Sequence, residues 1–400
     1  MEFDADIVIV GGGLVGQSLC CALEGVPLRI LQIEAEPPRP LAAPRWDERN
    51  FALARRSTLA LGRWGVWQHV EPVAHPILHV HASSRGDFGA VRVHASDYGV
   101  PALGYTAPAR AVGAALAARL ADCRTVERRA PAELRGLRAA ADGVELDVFE
   151  GGSERCLRAR LVVGADGTAS AVRGFAGIEV QTHDYGQTAI VCSVEARDAP
   201  SGWAFERFTD SGPFALLPLG NQRLGMIWAV DSACADAILA LDDAQFVQAA
   251  QERFGRRAGV LSRVGTRQPW PLRLTRANDV VGSRVVLLGN AAQTIHPVGA
   301  QGFNLGLRDV AALADGLLGA VRDGADCGAP QMLAAYAAAR APDREATIRM
   351  SDGLARAFSH RALPLRMLRG AAMTVLDRLP VARQHLAYSM MGWHGHAEPA

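Results

Sequence analysis

The chain of 400 residues carries 42 basic and 41 acidic side chains for a net charge of +1 at pH 7, and every one of the bases is arginine. The near-neutral balance removes the electrostatic case for nucleic-acid binding. The absence of lysine excludes Schiff-base catalysis, pyridoxal phosphate chemistry and a phosphate-loop lysine.

The length allows a large core and a second domain. Seven cysteines, at 20, 21, 123, 156, 192, 234 and 327, form no C-x-x-C pair and no metal-ligand spacing with histidine, so the expectation is buried thiols in a reducing compartment and no metal. The first residues are acidic where a secretory signal would be basic, and no apolar run is as long as a membrane span. A cytoplasmic protein is expected, with surface attachment to a membrane left open.

The first element is a buried strand over residues 6–10. It runs into Gly11-Gly12-Gly13-Leu14-Val15-Gly16, the spacing G-x-G-x-x-G. Gly11 permits the tight turn, Gly13 lets the main chain approach a pyrophosphate, and Gly16 lets the following helix lie close on the sheet. The bare N–H groups at the helix start then bind phosphate. A second strand, 27–34, ends in Glu34, placed to accept hydrogen bonds from a ribose. The alternative is a glycine-rich turn without a ligand.

After a loop at 35–40, residues 46–53 read as a loop bearing Arg49 that leads into a helix through Trp64. A second helix is expected over 110–121, opening on Arg110. Strands over 143–148 and 158–163 follow, the latter running into Gly164-Ala165-Asp166-Gly167. That places a carboxylate at the carboxyl edge of a sheet, where open α/β folds bind ligands, although an ordinary Asp-Gly turn reads the same way. From 187 to 230, short β-rich runs separated by Gly, Pro, Asp and Asn indicate an antiparallel sheet inserted into the nucleotide fold.

The chain then returns to a buried strand over 284–289. A loop of small residues from Asn290 to Gly306 enters a helix expected over 307–321. Gly289, Asn290, Pro297, Gly299, Ala300, Gln301, Gly302 and Asn304 lie here, at a second point where backbone can approach a cofactor. His296 is the titratable side chain nearest to this loop and the candidate catalytic base; a histidine before proline can equally close the loop by hydrogen bonding. The segment 353–393 mixes leucine and methionine with six arginines, Arg361 among them. It suits either helices docked on the main domain or an apolar, basic surface that attaches to lipid.

Three separated segments, 11–34, 164–167 and 289–306, resemble in order the three FAD motifs of the flavoprotein aromatic hydroxylases related to 4-hydroxybenzoate hydroxylase. Within that group the chain is similar to the ubiquinone-biosynthesis hydroxylases, most of all to those acting on 2-polyprenyl-6-methoxyphenol. This closer likeness is carried by Gly289-Asn290-Ala291-Ala292-Gln293-Thr294-Ile295-His296-Pro297, by Ala204-Phe205-Glu206-Arg207-Phe208-Thr209 and by Asp343-Arg344-Glu345-Ala346-Thr347-Ile348.

The resemblance implies an α/β fold, a Rossmann-like FAD-binding domain (1–75, 105–180 and 265–330) with an inserted antiparallel β-sheet substrate domain (76–104 and 181–264) and C-terminal helices (331–400). It implies an FAD-dependent monooxygenase in which NAD(P)H reduces the flavin, O2 adds at its C4a atom, and the hydroperoxide oxidises a polyprenyl phenol. It also implies that Asp166 is tied to FAD and NAD(P)H binding, that Asn290 lies near the ribityl chain and pyrophosphate, that main-chain donors over 299–304 face the flavin ring, and that Arg49 lies near the pyrophosphate. Arg110 joins the expected cofactor contacts. A complex of ubiquinone-biosynthesis proteins and peripheral contact with the inner membrane are further expected partners. Relatives generally read Ala-Gly-Gln-Gly where this chain has Gly299-Ala300-Gln301-Gly302, so a Cβ stands where backbone is expected to pass close to the flavin. A prenyl reductase and a non-catalytic FAD-binding protein are the alternatives.

Overall fold

The structure, a computed structural model, describes residues 3–37, 49–140, 142–359 and 363–393. The segments 38–40 and 46–48 of the two expected loops, Arg361 and residues 394–400 lie outside them. The strand Ala5–Val10 is the centre of the first sheet. It pairs in parallel with Ser153–Gly164 on one side and Ile30–Ile33 on the other, and the parallel set extends to Val285–Leu287 and Val126–Arg129.

Both faces of this strand are covered beyond Asp6, which explains the apolar run from Ile7 to Val10. Ile7 and Ile9 pack with Leu19, Leu116 and Leu313 of the helices Leu14–Ala22, Ala109–Ala121 and Gly302–Arg322. Val8 and Val10 pack with Leu134, Val144 and Leu146 of the antiparallel strands Ala132–Ala139 and Val144–Glu150. Fully burying each such side chain contributes about 1.5–3 kcal/mol, enough to place the glycine turn that follows with little freedom.

A nine-stranded sheet forms the second layer system. It is antiparallel as expected except where Trp203–Thr209 runs parallel to His79–Ser84, because the latter strand arrives from a distant part of the chain. One face is covered by the helix Asp243–Phe254, with Phe246 and Phe254 against Phe214 and Trp228. The other face turns toward the nucleotide-binding sheet and the C-terminal helices Pro330–Ser359, Leu363–Arg378 and Pro380–Met391. A three-stranded sheet of Asn50–Ala54, Gly104–Pro108 and His75–Ile77 links the two.

Three expectations are corrected. Asn50–Ala54 is a strand, with the helix confined to Arg55–Arg63, because its backbone is taken by Gly104–Pro108. The helix expected over 307–321 begins at Gly302, which puts Asn304 in its first turn. Cys156 and Cys234 are exposed rather than buried.

Candidate active site

The three motifs meet at the carboxyl ends of adjacent strands. Val10 is registered opposite Gly164, and Gly164 opposite Leu287, so the glycine turn, Asp166 and Gly289 leave the sheet at one level. The contact is tight. A Cβ on Gly11, whose φ is +111°, would lie 2.5 Å from the carbonyl oxygen of Ala165, and one on Gly16 would overlap the carbonyl oxygen of Gly11. Gly289 in turn would press on Val15.

Around Gly13 the space is open, and no side chain caps the helix that begins at Leu14. Glu34 folds back over the turn and accepts hydrogen bonds from the N–H groups of Gly12, at 2.5 Å, and Glu36, at 2.8 Å. Asp166 accepts from the N–H of Val172 through Oδ2, at 3.1 Å, while its Oδ1 is sealed from solvent without a partner. A bare helix start, an open floor beside it and an orphaned carboxylate oxygen together form an incomplete polar cradle. Asn290 lies exposed beside it.

Gly299 and Ala300 both take left-handed backbone, with φ of +72° and +53°. Ala300 is held there from both sides: its N–H donates to the carbonyl of Pro297 and its carbonyl accepts from Nδ2 of Asn304, each at 2.8 Å. The departure at this position is thus absorbed as strain in one residue, on the order of 1 kcal/mol. Asn304 acts through its side chain, its Oδ1 accepting from the N–H of Ala54 and its Nδ2 also donating to Ala52, which ties the loop to Asn50–Ala54. Gln301 is buried, donates to the carbonyl of Gly299 and accepts from Arg308. Gly302 is the first residue of the helix.

Beneath the loop lies a buried ionic network that sequence reasoning did not assemble. Asp343 accepts from Arg308 at 2.8 Å and Arg340 at 2.6 Å; Arg340 also donates to Asp309 at 2.8 Å. Gln293 donates to Asp309 and accepts from Arg344, while the N–H of Gly289 reaches the same Asp309. The segments 289–297 and 343–348, noted separately as points of resemblance, are two sides of one network. Arg308 is ion-paired with Asp343 and feels Asp309 more weakly, and burial still lowers its pKa; Arg340 is ion-paired with both, which outweigh its burial and raise it.

His296 is set apart from this surface. Its Nδ1 accepts from the N–H of Val298 at 3.2 Å, its Nε2 meets Oε1 of Gln187 at 3.3 Å, and its ring packs on Tyr185. Burial pushes its pKa down to about 4. With both ring nitrogens engaged, the geometry gives it the loop-closing part. Arg49 and Arg110 are brought close by the pairing of Asn50 with Pro108. The Arg49 guanidinium rests over Phe51 and Trp270, at 5.2 and 4.9 Å from the ring centres.

The loop forms one end of a cavity of about 430 Å³. Its floor is the free face of the nine-stranded sheet, with Val80, Ala82, Leu217 and Ile227, and its roof is the C-terminal helices, through Met350, Leu354, Met373 and Leu386. The lining is almost wholly apolar, and among the described residues Glu206 is its one carboxyl. Sequence reasoning missed this residue as chemistry; its signal was an acid alternating with Ala204 and Phe208 on the buried side of a strand.

Residues 4–351 match the family model described as an FAD binding domain. The chain belongs to this family. It is 38% identical over 387 residues to the ubiquinone hydroxylase UbiL of Rhodospirillum rubrum, covering 96% of this chain and 89% of that one. It is 32% identical to the 3-demethoxyubiquinol 3-hydroxylase of Escherichia coli, covering 96% and 98%. The fold is that of p-nitrophenol 4-monooxygenase PnpA from Pseudomonas putida, with a TM-score of 0.77 at 20% identity over 98% and 99% of the two chains. FAD is the cofactor of this family, and the cradle fits it. The open helix start suits a pyrophosphate, the unpartnered Asp166 Oδ1 can take a hydroxyl donor, and the left-handed loop presents main chain to the cavity.

Proposed function

We propose that this chain is an FAD-dependent monooxygenase that hydroxylates the ring of a polyprenylated phenol in ubiquinone biosynthesis, with NAD(P)H as reductant and O2 as co-substrate. The observation that carries the reading is the apolar cavity ending on the loop 297–301. Relatives named as a ubiquinone hydroxylase and a 3-demethoxyubiquinol 3-hydroxylase support it. FAD, when bound, supplies the activation of O2; the protein supplies binding, orientation and exclusion of water.

In this reading Gly11, Gly13 and Gly16 with the first helix hold the pyrophosphate, Glu34 holds the ribose, and Asp166 takes a hydroxyl through Oδ1. The main chain of Gly299, Ala300 and Gln301 faces the flavin ring. The sheet face and the C-terminal helices hold the ring and the start of the prenyl chain. The tail leaves between helices whose outer faces expose Met367, Leu368, Val375, Leu379 and Val381 beside Arg366 and Arg378. Such a surface suits peripheral contact with an anionic lipid layer, from which a polyprenyl phenol would be drawn. No helix among the described residues is long and apolar enough to cross a membrane. We place the protein on the cytoplasmic side of the inner membrane, where a complex of biosynthetic proteins would meet the same substrate.

The test is to incubate the FAD-loaded protein with NAD(P)H, O2 and a short-chain prenyl phenol and to analyse the product by mass spectrometry and NMR. The expected product carries one added oxygen on the ring, at a position that NMR assigns. Saturation of a prenyl double bond would make the chain a reductase instead. Tight FAD binding with no oxidation of NAD(P)H beyond background would make it a non-catalytic member.

A further inference from the structure

Glu206 is placed unlike any other charged residue lining the substrate cavity. It lies on the strand Trp203–Thr209, whose alternate residues Ala204, Glu206 and Phe208 turn into the cavity. Its registered neighbours on the two flanking strands are Ala82 and Ala215, whose small side chains leave the carboxyl uncrowded. Oε1 is sealed from solvent and accepts no hydrogen bond. The group's polar contact is the main-chain N–H of Gly299, in the loop expected to face the flavin ring.

The other polar side chains of the lining are engaged elsewhere. Gln301 and Asn304 hold the loop, as described above. Arg369, the remaining charged residue of the lining, donates to the carbonyl of Ala357 and to Asp87. The helix Pro330–Ser359 contributes only apolar residues to this cavity, among them Leu354 and Phe358. A half-buried carboxyl with one sealed and unpartnered oxygen, in an apolar chamber that ends on the cofactor loop, costs stability with no structural return.

We propose that Glu206 is a catalytic residue of the hydroxylation, the general base that accepts the proton of the substrate's phenolic hydroxyl. This inference rests on the hydroxylase reading above. As the ring carbon ortho or para to the hydroxyl forms its bond to the incoming oxygen atom, the phenolic O–H bond breaks, its proton passes to the Glu206 carboxylate, and its electron pair forms the ring carbonyl. The ring carbon then loses its own proton to solvent and the carbonyl oxygen takes back the proton held by Glu206. Aromaticity is restored and the carboxylate regenerated. The oxygen atom comes from O2, and NAD(P)H supplies the two electrons that reduce the second oxygen to water.

Burial raises the Glu206 pKa to about 7, only partly countered by the Gly299 N–H. That lies close to working pH, where a general base can both accept and return a proton.

The experiment compares the parent with Glu206→Gln and Glu206→Asp, each loaded with FAD and given the same prenyl phenol. The parent's turnover tests the hydroxylase reading on its own: a parent that makes no hydroxylated product overturns that reading, whatever the variants do. Given an active parent, Glu206→Gln is expected to bind FAD and the phenol as before and to hydroxylate at least about 100-fold more slowly. It should also lose the rise of kcat through neutral pH, and Glu206→Asp should recover part of both.

A second measurement needs neither turnover nor a variant that folds well: infrared titration of the parent, in which a protonated buried carboxyl band should fade as pH rises through about 7. A Gln variant with parental kcat and pH profile overturns the proposal, as does a loss confined to KM, which would make Glu206 a positioning residue. Absence of a carboxyl titrating near neutrality in the parent overturns it as well, and decides the matter if both variants misfold.

Discussion

Replacing Asp343 by Asn tests whether the ionic network under the loop sustains the fold. The carboxylate lies between two guanidiniums whose side chains are 2% and 6% exposed, Arg308 and Arg340. Burial alone would raise its pKa, but Arg308 and then Arg340 outweigh that and hold it at about 2, against an ordinary 3.8. At about 1.4 kcal/mol per pH unit, the charged form is favoured over a neutral one by about 2.5 kcal/mol. An amide keeps the shape and loses the charge, so Asp343→Asn should cost about that much at pH 7. This falls a little below the 3–5 kcal/mol typical of breaking a buried pair outright, because the amide oxygen still accepts a hydrogen bond.

The pH dependence has a definite sign. A carboxylate whose folded pKa is depressed contributes stability in full above its unfolded value, and that contribution is lost as pH falls from there through about 2. The gap between parent and variant should therefore be constant from pH 7 down to about 4.5 and begin to close below about 4. Urea unfolding of both proteins at fixed, saturating FAD, followed by tryptophan fluorescence, reads the gap at each pH. A variant within about 0.5 kcal/mol of the parent at pH 7 would show that the network's attraction only cancels its desolvation.

Two further outcomes are expected. Ala300→Gly relieves a left-handed alanine and should raise stability by about 0.5 kcal/mol after allowing for the looser unfolded chain, which urea unfolding checks, whereas the β-branched Ala300→Val should weaken FAD binding about tenfold; flavin fluorescence titration checks the latter, and an unaffected Val variant would detach this loop from the cofactor. The pair Leu368→Asp and Val381→Asp should abolish flotation with anionic liposomes while FAD stays bound; retained flotation would remove the C-terminal helices as a lipid surface.

Much of the nucleotide-binding half was legible along the chain because its signals are local. A strand buried on both faces must be continuously apolar, and a turn against Ala165 tolerates only glycine at position 11. Glu34 and Asp166 each lie just past the end of a strand, so their arrival at the sheet edge follows from strand length. Some readable signals went unread. The helix Asp243–Phe254 opens with a capping box between Asp242 and Gln245, and its apolar residues cover the second sheet. Asn50–Ala54 reads as the end of a loop because its alternation is too short to show a strand.

What sequence alone determined was the cofactor class: strand, glycines, helix and acid are contiguous in the chain, and the chemistry of phosphate binding needs nothing from elsewhere. What only tertiary structure decided was the work of individual side chains. His296 stands beside the loop in sequence, yet its ring nitrogens are taken up by Val298 and Gln187. Glu206 is some ninety residues from the loop, and only the folding of the second sheet against it brings the carboxyl to Gly299. Arg308, Asp309, Arg340 and Asp343 are ordinary surface types on two helices until those helices pack and exclude water. Burial and partner choice, which set the chemistry of each of these groups, are properties of contacts between distant segments, and no local pattern encodes them.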